Sequence, residues 1–131
     1  MLNILAVFGL ISFFPFPVQS RDVCVTATGR VRCIQNPSAE SRVEIKLLDE
    51  DGGFWDPDDT MGIALTDSQG RFTVHGCGND IDWFGIGNLP EPYLRIRHYC
   101  NFDRGEIRKT KIITRYYPDV VNLGTLLLDD K

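Results

Sequence analysis

The chain has 131 residues, with 14 basic and 18 acidic side chains and a net charge of −4 at neutral pH. An acidic balance of that size argues against nucleic acid or a general polyanion as a partner. Beyond the N-terminal stretch, no run is long and apolar enough to cross a bilayer, so no transmembrane segment is expected.

Positions 2–18 are almost wholly apolar, and Val18-Gln19-Ser20 has the small-residue pattern of a signal-peptidase site, followed at once by Arg21 and Asp22. The expectation is a secretory signal over 1–20 and a single domain over 21–131, in an extracellular protein. The signal departs from the usual form in having no Lys or Arg before its apolar run. Four cysteines, Cys24, Cys33, Cys77 and Cys100, predict two disulfides in a small secreted chain. No two of them fall at a zinc-binding spacing. Asn36-Pro37-Ser38 is barred from N-glycosylation by its proline.

The first predicted strand, 23–33, alternates Val23, Val25, Ala27, Gly29, Val31 and Cys33 against Cys24, Thr26, Thr28, Arg30 and Arg32. A turn around Asn36-Pro37-Ser38 leads to strand two, 42–49, with Val43, Ile45 and Leu47 opposite Arg42, Glu44 and Lys46. An acidic loop over about 50–60 follows, with Phe54 and Trp55 in its middle. Strand three covers about 61–67, and the Asp67-Ser68-Gln69-Gly70 turn leads into strand four at 71–76. A long loop over about 78–92 contains Trp83 and Phe84. Strand five, 93–100, sets Leu94, Ile96, His98 and Cys100 against Tyr93, Arg95, Arg97 and Tyr99. Strands six and seven are expected at about 106–116 and 120–128. Seven short strands without a helical period predict an all-β sandwich.

Several motifs follow one another in a distinctive order: Ala27-Thr28-Gly29, Leu48-Asp49-Glu50-Asp51, Asp58-Asp59-x-Met61-Gly62, Thr66-Asp67-x-x-Gly70-x-Phe72, Pro92-Tyr93-Leu94-x-Ile96-x-His98-x-Cys100 and Leu123-Gly124. Together they resemble the nematode transthyretin-like family across essentially all of 21–131. The cysteine pattern is most similar to the four-cysteine branch that contains a secreted factor bridging dying cells to an engulfment receptor. Many members carry a further cysteine after strand five, where this chain reads Asn101-Phe102-Asp103-Arg104-Gly105. The resemblance implies a prealbumin-like, seven-stranded sandwich with two disulfides. It makes strands one and four antiparallel neighbours, and likewise strands two and five.

Within that arrangement, parity constrains the cysteines. Cys24 and Cys33 lie too far apart on one strand, and on opposite faces, to pair with each other. Cys33 and Cys100 fall on the inward face; Cys24 and Cys77 fall on the other. An up-and-down path brings each pair to one pole, so the expected bridges are Cys24–Cys77 and Cys33–Cys100.

Two surfaces are candidate sites. The first is the pole where both long loops leave, gathering Phe54, Trp55, Trp83 and Phe84 as anchors for a protein partner. Capping and solubility are the plainer reading of its acids. A subsidiary reading has Asp49, Asp51, Asp56, Asp58 and Asp59 holding calcium, although their spacing is not that of an EF-hand. The second is the outer face of strands two, five and six, where Arg42, Lys46, Arg95, Arg97, Lys109 and Lys111 form a basic patch for phosphate or carboxylate groups. Its plainer reading is a solvated sheet face. His98 is expected to be a buried structural histidine, His75 has no evident partner, and the two form no triad or metal set.

The resemblance also raises a purine-pathway hydrolase of the same fold, marked by a C-terminal Tyr-Arg-Gly-Ser and by paired histidines. Leu126-Leu127-Leu128-Asp129-Asp130-Lys131 lacks that signature. The expected function is therefore non-enzymatic and needs no cofactor: an extracellular recognition molecule that links an anionic cell-surface ligand, such as phosphatidylserine, to a protein receptor. A monomer or weak dimer is expected. A carrier of a small apolar ligand or hormone is the alternative, and it requires a closed oligomer or an internal cavity.

Overall fold

A computed structural model describes residues 22–50, 58–79, 90–101 and 104–129. Seven strands run in chain order: β1 (Asp22–Arg32), β2 (Glu44–Asp49), β3 (Asp59–Leu65), β4 (Arg71–Asn79), β5 (Pro92–His98), β6 (Glu106–Lys109) and β7 (Val120–Leu127). They form two sheets, β4-β1-β7 and β3-β2-β5-β6. β1 pairs antiparallel with β4 and parallel with β7, and every neighbour in the second sheet is antiparallel. These pairings are those of a chain whose successive strands reverse direction, and they bear out the all-β sandwich.

The period-2 pattern decides what lies between the sheets. Val25, Ala27 and Val31 of β1 and Phe72 and Val74 of β4 face Ile45 and Leu47 of β2 and Leu94 and Ile96 of β5, all essentially without solvent exposure. Val43, Ile113 and Leu128 fill the same core from just beyond the strands. Fully burying an aliphatic side chain of this kind stabilises by about 1.5–3 kcal/mol.

Both expected bridges are present. Cys24–Cys77 joins directly opposed residues of β1 and β4 on the outer side, and Cys33–Cys100 is buried and joins the two sheets. Along one side the sheets come into backbone contact. A Cβ on Gly62 of β3 would fall 2.3 Å from the His75 carbonyl oxygen, and one on Gly76 of β4 would fall 2.3 Å from that of Met61. Glycine is required there because two main chains, neither able to yield, occupy the space a side chain would need.

Three sequence expectations are corrected. Strand six ends at Lys109 instead of near 116. The Thr110 side chain takes over the ladder, its hydroxyl accepting from the Leu94 N–H at 2.9 Å, and the chain then crosses between sheets. On that crossing the Ile113 N–H donates to the Pro92 carbonyl and the Tyr117 N–H to the Cys24 carbonyl. Strand two begins at Glu44, because Arg42 adopts φ 59°, a left-handed turn conformation outside the strand. The turn after β1 contains one 3₁₀ turn, Pro37–Glu40, whose Glu40 is buried. Its carboxylate accepts from the Cys33 N–H at 2.9 Å and from Arg32 Nε at 3.1 Å.

Candidate binding faces

The basic patch is built by register. Across the outer face of the four-stranded sheet, Ile63, Lys46, Arg95 and Lys109 stand opposite one another on β3, β2, β5 and β6. The next row is Leu65, Glu44, Arg97 and Ile107. Three of the six expected residues therefore share one row, and Arg97 sits diagonally beside them. Arg42 is exposed but off the strand, and Lys111 is exposed two residues past the end of β6. Among the described residues no acid pairs with Lys46, Arg95, Arg97 or Lys109 within salt-bridge distance. Directly opposed like charges lie about 4.5–5.5 Å apart at Cβ and weaken a sheet.

Sequence reasoning missed the apolar rim of this face. Ile63 and Leu65 on one edge strand and Ile107 on the other are each more than half exposed. The signal was available: around Ile63 and Leu65, strand three also carries small residues, Gly62 and Ala64, on the opposite parity. Tyr93 takes the outer-face position expected of it but is not exposed there. Its ring is buried on that face, with Lys109 Nζ 5.9 Å from the ring centroid and its hydroxyl donating to an Asp58 carboxylate oxygen. Loss of solvent, and then the bond to Asp58, push the Tyr93 phenol up to about 12.

At the opposite end of β2 the stems of the two long loops are tied together. The Glu50 N–H donates to the Glu91 carbonyl, the Glu91 N–H donates to Asp49 Oδ1 at 2.9 Å, and the Tyr116 hydroxyl donates to the Pro90 carbonyl. These stems lie at the Cys24–Cys77 end, because β1 starts and β4 ends there. The proposed anchors Phe54, Trp55, Trp83 and Phe84 lie outside the described residues, as do Asp51 and Asp56 of the calcium reading. Asp49 and Asp58 already accept hydrogen bonds. Among the described residues, every group of three metal-ligating atoms includes a disulfide pair.

His98 is buried as expected. Its Nδ1 accepts from the Cys100 N–H at 3.2 Å, which leaves the proton on Nε2. Nε2 lies 3.4 Å from Glu106 Oε1, close enough for charge attraction but not aligned as a hydrogen bond. That oxygen already accepts from Asn101 Nδ2 at 2.9 Å. Desolvation lowers the pKa of His98; the Glu106 charge opposes this and the Arg108 charge assists it. His75, for which the sequence offered no partner, shares a 2.6 Å hydrogen bond with the Thr26 hydroxyl through Nδ1 and packs edge-on against Tyr117.

Residues 28–115 match the Transthyretin-like family (TTR-52). The chain belongs to the transthyretin-like family. Transthyretin-like protein 46 of Caenorhabditis elegans is 32% identical over 94 residues, covering 70% of this chain and 46% of that protein. Transthyretin-like protein 16 of the same organism is 34% identical over 77 residues, covering 59% of this chain and 51% of its own length. The chain thus spans about half the length of these curated relatives. Among solved structures, a 9R-lipoxygenase from Cyanothece PCC8801 aligns with 88% of this chain and 17% of its own, at a TM-score of 0.47 and 22% identity, and says nothing of a shared activity. The family match spans β2 to β6 and so takes in both candidate faces.

Proposed function

We propose that this transthyretin-like chain is a secreted, non-enzymatic binding protein that bridges two cell-surface partners. The outer face of the four-stranded sheet engages anionic head groups, with phosphatidylserine on dying cells as the ligand. Phe54, Trp55, Trp83 and Phe84, in the two loops whose stems lie at the Cys24–Cys77 end, engage a protein receptor. The observation that carries this reading is the Lys46-Arg95-Lys109 row, assembled from three strands with no acid interposed. Such a row costs sheet stability unless a ligand neutralises it. The exposed rim of Ile63, Leu65 and Ile107 supports a membrane surface over a soluble anion, because apolar side chains beside basic ones gain by entering the head-group region. Two disulfides and the apolar leader support secretion.

The test is co-sedimentation with phosphatidylcholine vesicles, with and without phosphatidylserine, at two salt concentrations and with calcium or chelator. The expected result is salt-sensitive binding that requires phosphatidylserine and persists in chelator. Each basic residue near an anionic surface contributes about 1 kcal/mol. Replacing Arg95 and Arg97 together by Glu should therefore cost about 4 kcal/mol and abolish sedimentation. Binding lost only in chelator would move the site to the acidic loop, and no binding in any condition would end the lipid reading. A tight tetramer by light scattering would favour the carrier instead.

A further inference from the structure

The other sheet carries a site of its own. β7 pairs with β1 as Asn122 with Thr28 and then Thr125 with Arg30, so two residues of β7, Leu123 and Gly124, stand against the single Gly29. This bulge, with Gly124 at φ 71°, bows the edge strand away from its neighbour. Neither glycine fills the gap. At Gly29 the space of a Cβ is taken from the core side by the buried Phe72 ring, 2.8 Å away, whereas a Cβ at Gly124 would meet nothing within 4 Å, so it is Gly124 that bares main chain to the outside. The result is a groove of about 410 Å³ on the outer side of the three-stranded sheet, reaching inward to Phe72.

Apolar and polar groups both line the groove. Thr28, Thr73 and Thr125 line it with hydroxyls. Asn122 lines it too, its Oδ1 held by the Gly124 N–H at 2.9 Å, which leaves the amide NH₂ without a partner among the described residues. At one end stand Arg30 and Arg71, directly opposed across β1 and β4. Like charges so placed weaken a sheet, and among the described residues neither has an ion-pair partner. Arg30 Nε donates to the Gln69 carbonyl, which fixes its stem and leaves the tips of the fork available. The nearby Asp67 carboxylate accepts from the backbone N–H groups of Gln69 and Arg71, and its charge is also attracted by Arg71 and Arg30, so it offsets part of their positive charge without forming an ion pair with either.

We infer that this groove binds an acidic saccharide unit, a sugar ring bearing a carboxylate or sulfate. Gly124 lets a ring approach the main chain, the hydroxyls and the Asn122 amide match sugar hydroxyls, and the two guanidinium forks match a planar or tetrahedral anion. The site is on the opposite sheet from the phosphatidylserine face and does not depend on that reading.

The test is NMR titration of the full folded chain with a heparin-derived disaccharide, with glucose and inorganic sulfate as controls. The disaccharide should saturably shift the amides of Thr28, Thr73, Asn122 and Thr125, and glucose should not. Arg71→Gln should weaken binding about tenfold, the loss of one charge-assisted contact. Thr125→Glu, an exposed change on the edge strand, should abolish it. Arg95→Glu with Arg97→Glu should leave it unchanged. The inference is overturned if sulfate alone binds as tightly, if the shifts centre on Lys46 and Arg95, or if Thr125→Glu binds as the parent does.

Discussion

At the scale of single residues, two buried ionisable groups carry consequences that can be measured. Burial lowers the pKa of His98, so the folded chain takes up its proton at a lower pH than the unfolded chain. Stability is then complete above the ordinary histidine value of about 6.5. It declines as pH falls from there, because the unfolded state is protonated first, and it levels off once the folded residue is protonated too. Thermal unfolding should show a larger loss between pH 7.5 and 5.5 for the parent than for His98→Gln; equal losses would refute this assignment. Glu40 closes the turn after β1, with its side chain on the Cys33 N–H and its carbonyl on the Thr66 hydroxyl. Glu40→Ala strands a buried N–H and should cost about 1–3 kcal/mol by denaturant unfolding. Glu40→Gln keeps an acceptor and should cost less. The burial of His98 was legible from its parity beside Ile96. That of Glu40 was not, since a glutamate in a polar turn is usually solvated and only the return of the chain to Cys33 and Arg32 encloses it.

At the scale of elements, the two bridges do different work. By chain entropy alone, closing loops with sequence separations of 53 and 67 residues contributes about 4 kcal/mol each. Cys24–Cys77 staples strands already joined by a ladder and lies at the surface. Cys33–Cys100 ties one sheet to the other inside the core. Paired Cys→Ala replacement should therefore lower the melting temperature more for Cys33 and Cys100, where two buried sulfurs are also lost from the packing. A larger drop for Cys24 and Cys77 would reverse this ranking. The strands themselves were read to within two or three residues, except where a side chain replaced the ladder. Thr110 ends β6 early by bonding Leu94 through its hydroxyl, and the alternation of 107–115 gives no warning of that.

At the scale of the whole molecule, a net charge of −4 coexists with a sheet face whose central row is basic. The proposed attraction to an anionic surface would therefore be local and screened. Raising salt from about 0.05 to 0.3 M should weaken vesicle binding progressively, since the Debye length falls below about 10 Å over that range. Retention unchanged at high salt would point to the apolar rim as the dominant contact.

The sequence carried the class of the fold, the inward set of Val25, Ala27, Ile45, Leu47, Leu94 and Ile96, and, with the family resemblance, both disulfides. These follow from a strict two-residue period, which states which side of a strand each residue takes. Three features needed the folded chain: the alignment of Lys46, Arg95 and Lys109 in one row, the placing of Ile63 and Leu65 on one side of that row and Ile107 on the other, and the groove opened by the bulge at Gly124. Each depends on the register between strands far apart in the chain, and a period along one strand carries no information about its register against another.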